Sequence, residues 1–182
     1  MEENSKPLLN TCSLMNVQPI MMDLPYPELR VREQNQAYAN LLSIDYCGAV
    51  SEMTAITQYI NHENRLSCEH CPLTKTILGI AMAEMIHLQK LGELIFLLGG
   101  SIDFAARYRG QKPKLWTPEY ITMQEEVRKM ILSDIDAEKA AVNQYKMHIK
   151  MMNDAYVNAV LVRIIRDEEY HIMILQTLLN ER

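Results

Sequence analysis

The chain has 182 residues, of which 48% are apolar and 23% charged, and its net charge at pH 7 is −5. That length can bury a core as one domain, and the composition is that of an ordinary globular protein. The mild acidity leaves no electrostatic footprint for nucleic acid, and no run approaches the roughly 18 apolar residues of a membrane span. Met1-Glu2-Glu3-Asn4 lacks the basic and apolar regions of a secretory signal, so no membrane is expected and a reducing cytoplasm is the default.

In chain order, residues 1–35 carry Pro7, Pro19, Pro25 and Pro27, which deny regular helix. They predict an extended, Pro-rich N-terminal arm that packs on the rest of the chain or on a second subunit. Residues 36–182 then predict four long helices. The first spans Asn35 to Glu63, with Leu42, Ala49, Ile56 and Tyr59 at helical spacing. Residues 67–72 break it. The second runs from Pro72 or Leu73 to Leu98, with Pro72 suited to a first turn and Gly99-Gly100 to the end. A connection containing Gly110, Pro113 and Trp116 follows. Thr117-Pro118-Glu119 reads as an N-cap with proline at the first helical position, opening a third helix that lasts to Met151. Asn153-Asp154 marks a short turn, and the fourth helix ends near Leu179. Few segments alternate with period two, so no sheet is expected. Two tight turns and one long connection predict an all-α four-helix bundle, two antiparallel hairpins joined by a crossover.

The sequence also repeats itself. Glu52-x-x-Ala55-x-x-Gln58-Tyr59 returns 86 positions later as Glu138-x-x-Ala141-x-x-Gln144-Tyr145, and Glu84-x-x-His87 returns 84 positions later as Glu168-x-x-His171. Steps of three and four residues keep a helix on one face. In the second helix that face reads Ile77, Ile80, Glu84, His87, Leu91, Leu94; in the fourth it reads Leu161, Ile164, Glu168, His171, Leu175, Leu178. The first helix places Glu52 between Ala49 and Ile56, and the third places Glu138 after Ile131 and Asp134. Each Glu and His therefore occupies a place where an apolar residue would otherwise sit. A single E-x-x-H arises easily by chance, and a buried His is usually a hydrogen-bonded core residue. Four inward carboxylates are another matter, because each is costly to bury unless paired or metal-bound. Four Glu and two His are the set with which a helical bundle holds two metal ions.

On these residues the chain resembles the ferritin-like dimetal carboxylate proteins, most closely their rubrerythrin and manganese-catalase branches, over residues 36–180. Asp45-Tyr46-Cys47-Gly48 and Leu97-Leu98-Gly99-Gly100 add to the likeness with manganese-catalase and spore-coat relatives. The resemblance implies a ferritin-like bundle with two Fe or two Mn ions. It implies Glu52 and Glu138 as terminal ligands, Glu84 and Glu168 as bridges, and His87 and His171 as ligands of one metal each. Storage ferritins usually lack the second E-x-x-H. Rubrerythrins proper carry a rubredoxin domain with two CxxC knuckles, which is missing here.

Around that set, Asp167 stands before Glu168 and is a candidate to orient His87, against the alternative of a solvent-facing Asp. Tyr59 and Tyr145 lie two turns past the terminal Glu residues, placed to bond a ligand carboxylate or to fill the core. His62 and His148 fall outside the cluster and read as structural or exposed. Cys47 reads as a small core residue. Cys68-Glu69-His70-Cys71 is a lone CxxC with three readings: an inert reduced turn, a redox dithiol, and part of a zinc site completed by His70 and by Cys12 or a symmetry mate.

Two functional classes stay open. A dimetal site invites hydrogen peroxide or dioxygen. The expected activity is peroxide reduction with an external electron donor, or peroxide disproportionation. The other class is an iron oxidation and storage module, or a structural coat protein with a vestigial site. A homodimer is expected, since the arm needs a surface.

Overall fold

The computed structural model describes residues 12–14, 16–66 and 70–181. Helices α1 (Gln36–Cys47), α2 (Glu52–Leu66), α3 (Cys71–Leu97), α4 (Val127–Met151) and α5 (Ala155–Asn180) carry most of the chain. Helices α2 and α3 pack as one antiparallel hairpin, α4 and α5 as another, and residues 98–126 cross between them. This is the expected bundle, with three local differences that matter for the site.

The first helix is broken. Gly48 is extended (φ −77°, ψ −169°), and its N–H caps α1 by donating to the Ile44 carbonyl. A Cβ at Gly48 would stand 2.6 Å from that carbonyl oxygen, so the turn requires glycine. Ser51 then restarts the helix: its Oγ accepts the Thr54 N–H and donates to the Gly48 carbonyl. Ala49, expected on the buried stripe, is exposed in this break.

The third helix begins late. Thr117 does cap a turn, accepting the Glu119 N–H, but Pro118–Tyr120 is one turn of 3-10 helix that ends at extended Ile121 (φ −81°, ψ 132°). Thr122 then gives both backbone groups to side chains of α2 rather than to a helix, and α4 starts at Val127. The connection also holds a two-residue antiparallel pair, β1 (Ala105–Ala106) with β2 (Lys114–Leu115), where no sheet was expected. Two residues are too few to leave a period-two trace.

The arm finds its surface on its own bundle. Residues 16–35 run in extended form along α3 and α5. The Ile20 N–H donates to the Gly79 carbonyl at 2.9 Å. A Cβ at Gly79 would meet Ile20 Cγ1 at 2.8 Å, so helix and arm approach as closely as glycine allows. Farther along, the Arg32 N–H donates to Asp154, the N-cap of α5, and the Asn35 N–H to the Leu98 carbonyl.

The arm is also tied covalently at Cys12, which forms a disulfide with Cys71, their Cα atoms 5.4 Å apart. This overturns all three readings of the CxxC for Cys71: its sulfur is spent on Cys12, 59 residues away, and so is not reduced and serves neither a zinc site nor a dithiol with its near neighbour. Cys68 lies outside the described residues. A loop of that length implies about 4 kcal/mol of stabilisation through the unfolded chain. Dithiothreitol should therefore lower the urea midpoint of the wild type and leave Cys12→Ser unmoved. Equal midpoints with and without reductant would mean that the bond contributes nothing.

Candidate metal centre

The six ligand candidates meet in the middle of the bundle. Glu52 from α2, Glu84 and His87 from α3, Glu138 from α4, and Glu168 and His171 from α5 are each no more than 3% exposed. They fall into two groups whose ligand atoms lie within 4.8 Å of one another: Glu52, Glu84, His87, Glu168, and Glu84, Glu138, Glu168, His171. Glu84 and Glu168 belong to both.

The oxygens divide between the two groups. His87 Nδ1 is 2.7 Å from Glu84 Oε2, 3.4 Å from Glu168 Oε1 and 3.7 Å from Glu52 Oε2. His171 Nδ1 is 3.0 Å from Glu84 Oε1, 3.2 Å from Glu168 Oε2 and 3.5 Å from Glu138 Oε1. Each shared carboxylate thus turns one oxygen to each imidazole, as a bridge must. The two rings are 6.2 Å apart between centroids.

Orientation comes from the far side of each ring. His87 Nε2 is 3.2 Å from Asp167 Oδ2, and His171 Nε2 is 2.7 Å from the Ile20 carbonyl of the arm. With both Nε2 atoms donating outward, both Nδ1 lone pairs turn toward the carboxylates. Asp167 is buried, not solvent-facing, and it is itself held. It accepts from the Met22 N–H at 2.8 Å and the Tyr26 hydroxyl at 3.0 Å. Arg163 NH1 lies 2.6 Å away, as a charge contact rather than an aligned hydrogen bond. Burial works to raise the Asp167 pKa, but the bonds from His87 and Met22 and the Arg163 charge hold it down to about 2.

The tyrosines cross over. Tyr59 of the first half donates to Glu138 Oε1 of the second, and Tyr145 to Glu52 Oε1 of the first. Burial, then the facing carboxylates, push both phenols well above their ordinary range, so they remain donors.

The donor set fits a pair of cations. Glu84 Oε1, Glu168 Oε2 and His171 Nδ1 are buried without hydrogen-bond partners, although His171 Nδ1 stands 3.0 Å from the first oxygen and 3.2 Å from the second. Unpartnered donor atoms this close together suit a shared cation. Burial first, then Glu84 and Glu168, push the Glu52 and Glu138 carboxyls well above the usual range. Burial opposes a charge on either imidazole, yet the surrounding carboxylates raise both well above the usual histidine range. The cluster therefore takes up positive charge, as protons or as metal.

The floor of the site opens to solvent through a cavity of about 390 Å³ between α2 and α4. Glu52, Glu84, Glu138 and Glu168 lie at its floor, and exposed Ala49, Thr122 and Asp136 at its rim. Ala55 and Ala141, the repeated alanines of the E-x-x-A motifs, line its walls. A larger side chain at either position would fill the passage.

Sequence reasoning stopped the repeat too early. Gln58-Tyr59-x-x-His62 matches Gln144-Tyr145-x-x-His148, again 86 positions apart. His62 is 3.0 Å from Asp134, to which Gln58 donates at 2.8 Å. His148 is 2.7 Å from Asp45, to which Gln144 donates at 2.8 Å. Both histidines are buried and outside the metal cluster. Cys47 is buried too, and burial pushes its thiol up to about 12, which keeps it protonated and unreactive.

Bundle, crossover and paired Glu/His helices define a ferritin-like protein, and the chain belongs to that family: the profile of the ferritin-like domain matches residues 49–182. Within it, the chain is 25% identical to a probable manganese catalase of Clostridium acetobutylicum over 171 residues, 85% of this chain and 75% of the relative. The crystal structure of a manganese catalase from Anabaena superposes with a TM-score of 0.75 at 25% identity, covering 87% of this chain and 78% of that one. A bacterioferritin of Mycobacterium tuberculosis matches with a TM-score of 0.65 at 24% identity, covering 81% and 87%, a likeness of fold.

Proposed function

We propose that this chain holds two metal ions, Glu52 and Glu138 as terminal ligands, Glu84 and Glu168 as bridges, His87 and His171 one to each ion, and that it destroys hydrogen peroxide by disproportionation, 2 H2O2 → 2 H2O + O2. The observation that carries the reading is the pair of half-sites sharing two carboxylates at the floor of a cavity open to solvent. Manganese is favoured over iron because the Anabaena relative is a manganese catalase and the Clostridium one a probable manganese catalase; the ligand types accept either. When bound, two such ions would supply the paired electron changes that peroxide disproportionation needs. The chain's own groups do the rest. Tyr59 and Tyr145 hold the terminal carboxylates by one oxygen. Asp167 and the Ile20 carbonyl fix the two imidazoles. Ala55 and Ala141 leave the passage to the carboxylates free of bulky side chains at these two positions.

Cytoplasmic placement belongs to this proposal; in a reducing cytoplasm the Cys12–Cys71 bond would then form only while an oxidant such as peroxide is present. So does a homodimer. Its support is no longer the arm but the groove around Phe96, Leu97 and Ile102, where Phe96 is 69% exposed. No helix among the described residues is long and apolar enough to cross a membrane.

Metal analysis of protein purified from its own host, with peroxide loss and oxygen release followed together, tests the function. About two manganese per chain, and one O2 per two H2O2 without reductant, are expected. Peroxide loss only with an added reductant would replace disproportionation by peroxidase chemistry. A retained ferric mineral without peroxide loss would replace both by iron storage.

A further inference from the structure

Three buried side chains of α2, Thr54, Gln58 and His62, stand four residues apart on one face. All three serve the connection between α3 and α4. Thr54 Oγ1 accepts from the Trp116 indole at 3.0 Å. Gln58 Oε1 accepts the Thr122 N–H at 2.9 Å, and His62 Nε2 lies 3.1 Å from the Thr122 carbonyl, to which it donates. Asp134 of α4 locks the latter two from behind, accepting from Gln58 Nε2 and facing His62 Nδ1.

Thr122 thus has both backbone groups held by buried side chains, in a stretch, 122–125, that belongs to no helix or strand. That residue and Tyr120 form part of the cavity wall, with Thr122 at the solvent rim. The opposite lip is held by the repeat's other copy. Gln144 Nε2 donates to the Val50 carbonyl and to Asp45, at 2.8 Å each, and Val50 lines the same cavity. The two glutamines of the duplicated motif therefore each pin one lip of the passage, and each grips an aspartate as its anchor.

We propose that Gln58 and His62, with Trp116, are positioning residues of an access gate: they hold the segment from Tyr120 to Thr122 at the rim so that molecules the size of hydrogen peroxide reach the carboxylate floor and larger ones do not. The substrate named here rests on the peroxide reading of the site; the gate itself rests on the hydrogen bonds. Because segment 122–125 has no ladder of its own, releasing Thr122 frees the lip without unwinding a helix.

The test uses full-length protein with the metal it is purified with, and dipicolinate as a probe larger than peroxide. In the wild type, metal loss should proceed at a rate independent of dipicolinate concentration, since metal must leave before the chelator meets it. In Gln58→Met, which keeps the bulk and removes the bonds, the rate should become proportional to dipicolinate and rise about tenfold or more. Trp116→Phe should shift the same way by a smaller factor. Thr122→Ala, which keeps both backbone bonds, should behave as wild type. Folded Gln58→Met and Trp116→Phe proteins with wild-type extraction kinetics would overturn the gate. So would a wild type already extracted in proportion to dipicolinate. If Gln58→Met fails to fold, Trp116→Phe decides. A wild type that fails to consume peroxide sinks the peroxide reading and leaves the extraction kinetics to judge the gate.

Discussion

Alanine at Glu84 should strip the protein of both metal ions at once, and alanine at Glu168 should do the same. The reason is the division of oxygens: Glu84 faces His171 with Oε1 and His87 with Oε2, and Glu168 repeats this in reverse order. Neither half-site has its own substitute, since Glu52 and Glu138 each reach only one imidazole. Metal content measured by plasma emission should fall from about two per chain to near zero, and peroxide turnover should fall by at least about a hundredfold, as expected when the metal clamp itself is lost. Alanine at Glu52 or Glu138 should be milder, loosening one ion more than the other. A Glu84→Ala protein that keeps a full complement would show that the carboxylate is not a bridge.

The second large effect is expected at Asp167, which touches no candidate metal position. Alanine there should cost about 3–5 kcal/mol, the usual result of removing one partner from a buried ion pair. Arg163 is 5% exposed and would be left with the Met22 and Leu24 carbonyls and the face of the Tyr26 ring, none of which carries a countercharge. The arm would also lose its bonds from Met22 and Tyr26. Asn at the same position keeps the shape and an acceptor but removes the charge behind His87, and should weaken metal binding about 10–100-fold while costing less stability. Urea unfolding and metal titration on the two variants separate these effects. If Asp167→Ala unfolds at the wild-type midpoint, the clasp of arm, Arg163 and Asp167 is not what fastens the arm.

Much of this molecule is written in one dimension because helices write their faces at a fixed period. Glu84, His87, Glu168 and His171 lie on apolar stripes that only a buried face explains, and the 86-residue repeat supplies the other two carboxylates. Hence the bundle, the crossover and the six residues that converge were legible before any fold was known, as were Tyr59 and Tyr145 beside them. The extension of the repeat to His62 and His148 was legible too, and was passed over because neither residue belongs to the metal cluster.

Only the tertiary structure decided what depends on backbone groups and on chain distant in sequence. The Ile20 carbonyl behind His171 has no side-chain signature, because every residue offers a carbonyl. The pairing of Cys71 with Cys12 depends on where the arm lies, and proximity in sequence pointed to Cys68 instead. Thr117-Pro118-Glu119 is a sound helix start by local chemistry, yet Gln58 and His62 capture Thr122 and delay the helix to Val127. Gly48 breaks the first helix where an unbroken stripe was expected, and so presents the Val50 carbonyl to Gln144. Side-chain period is a local property that sequence carries directly. The destination of each loop hydrogen bond is set by three-dimensional packing, and in this protein those bonds shape the passage to the site.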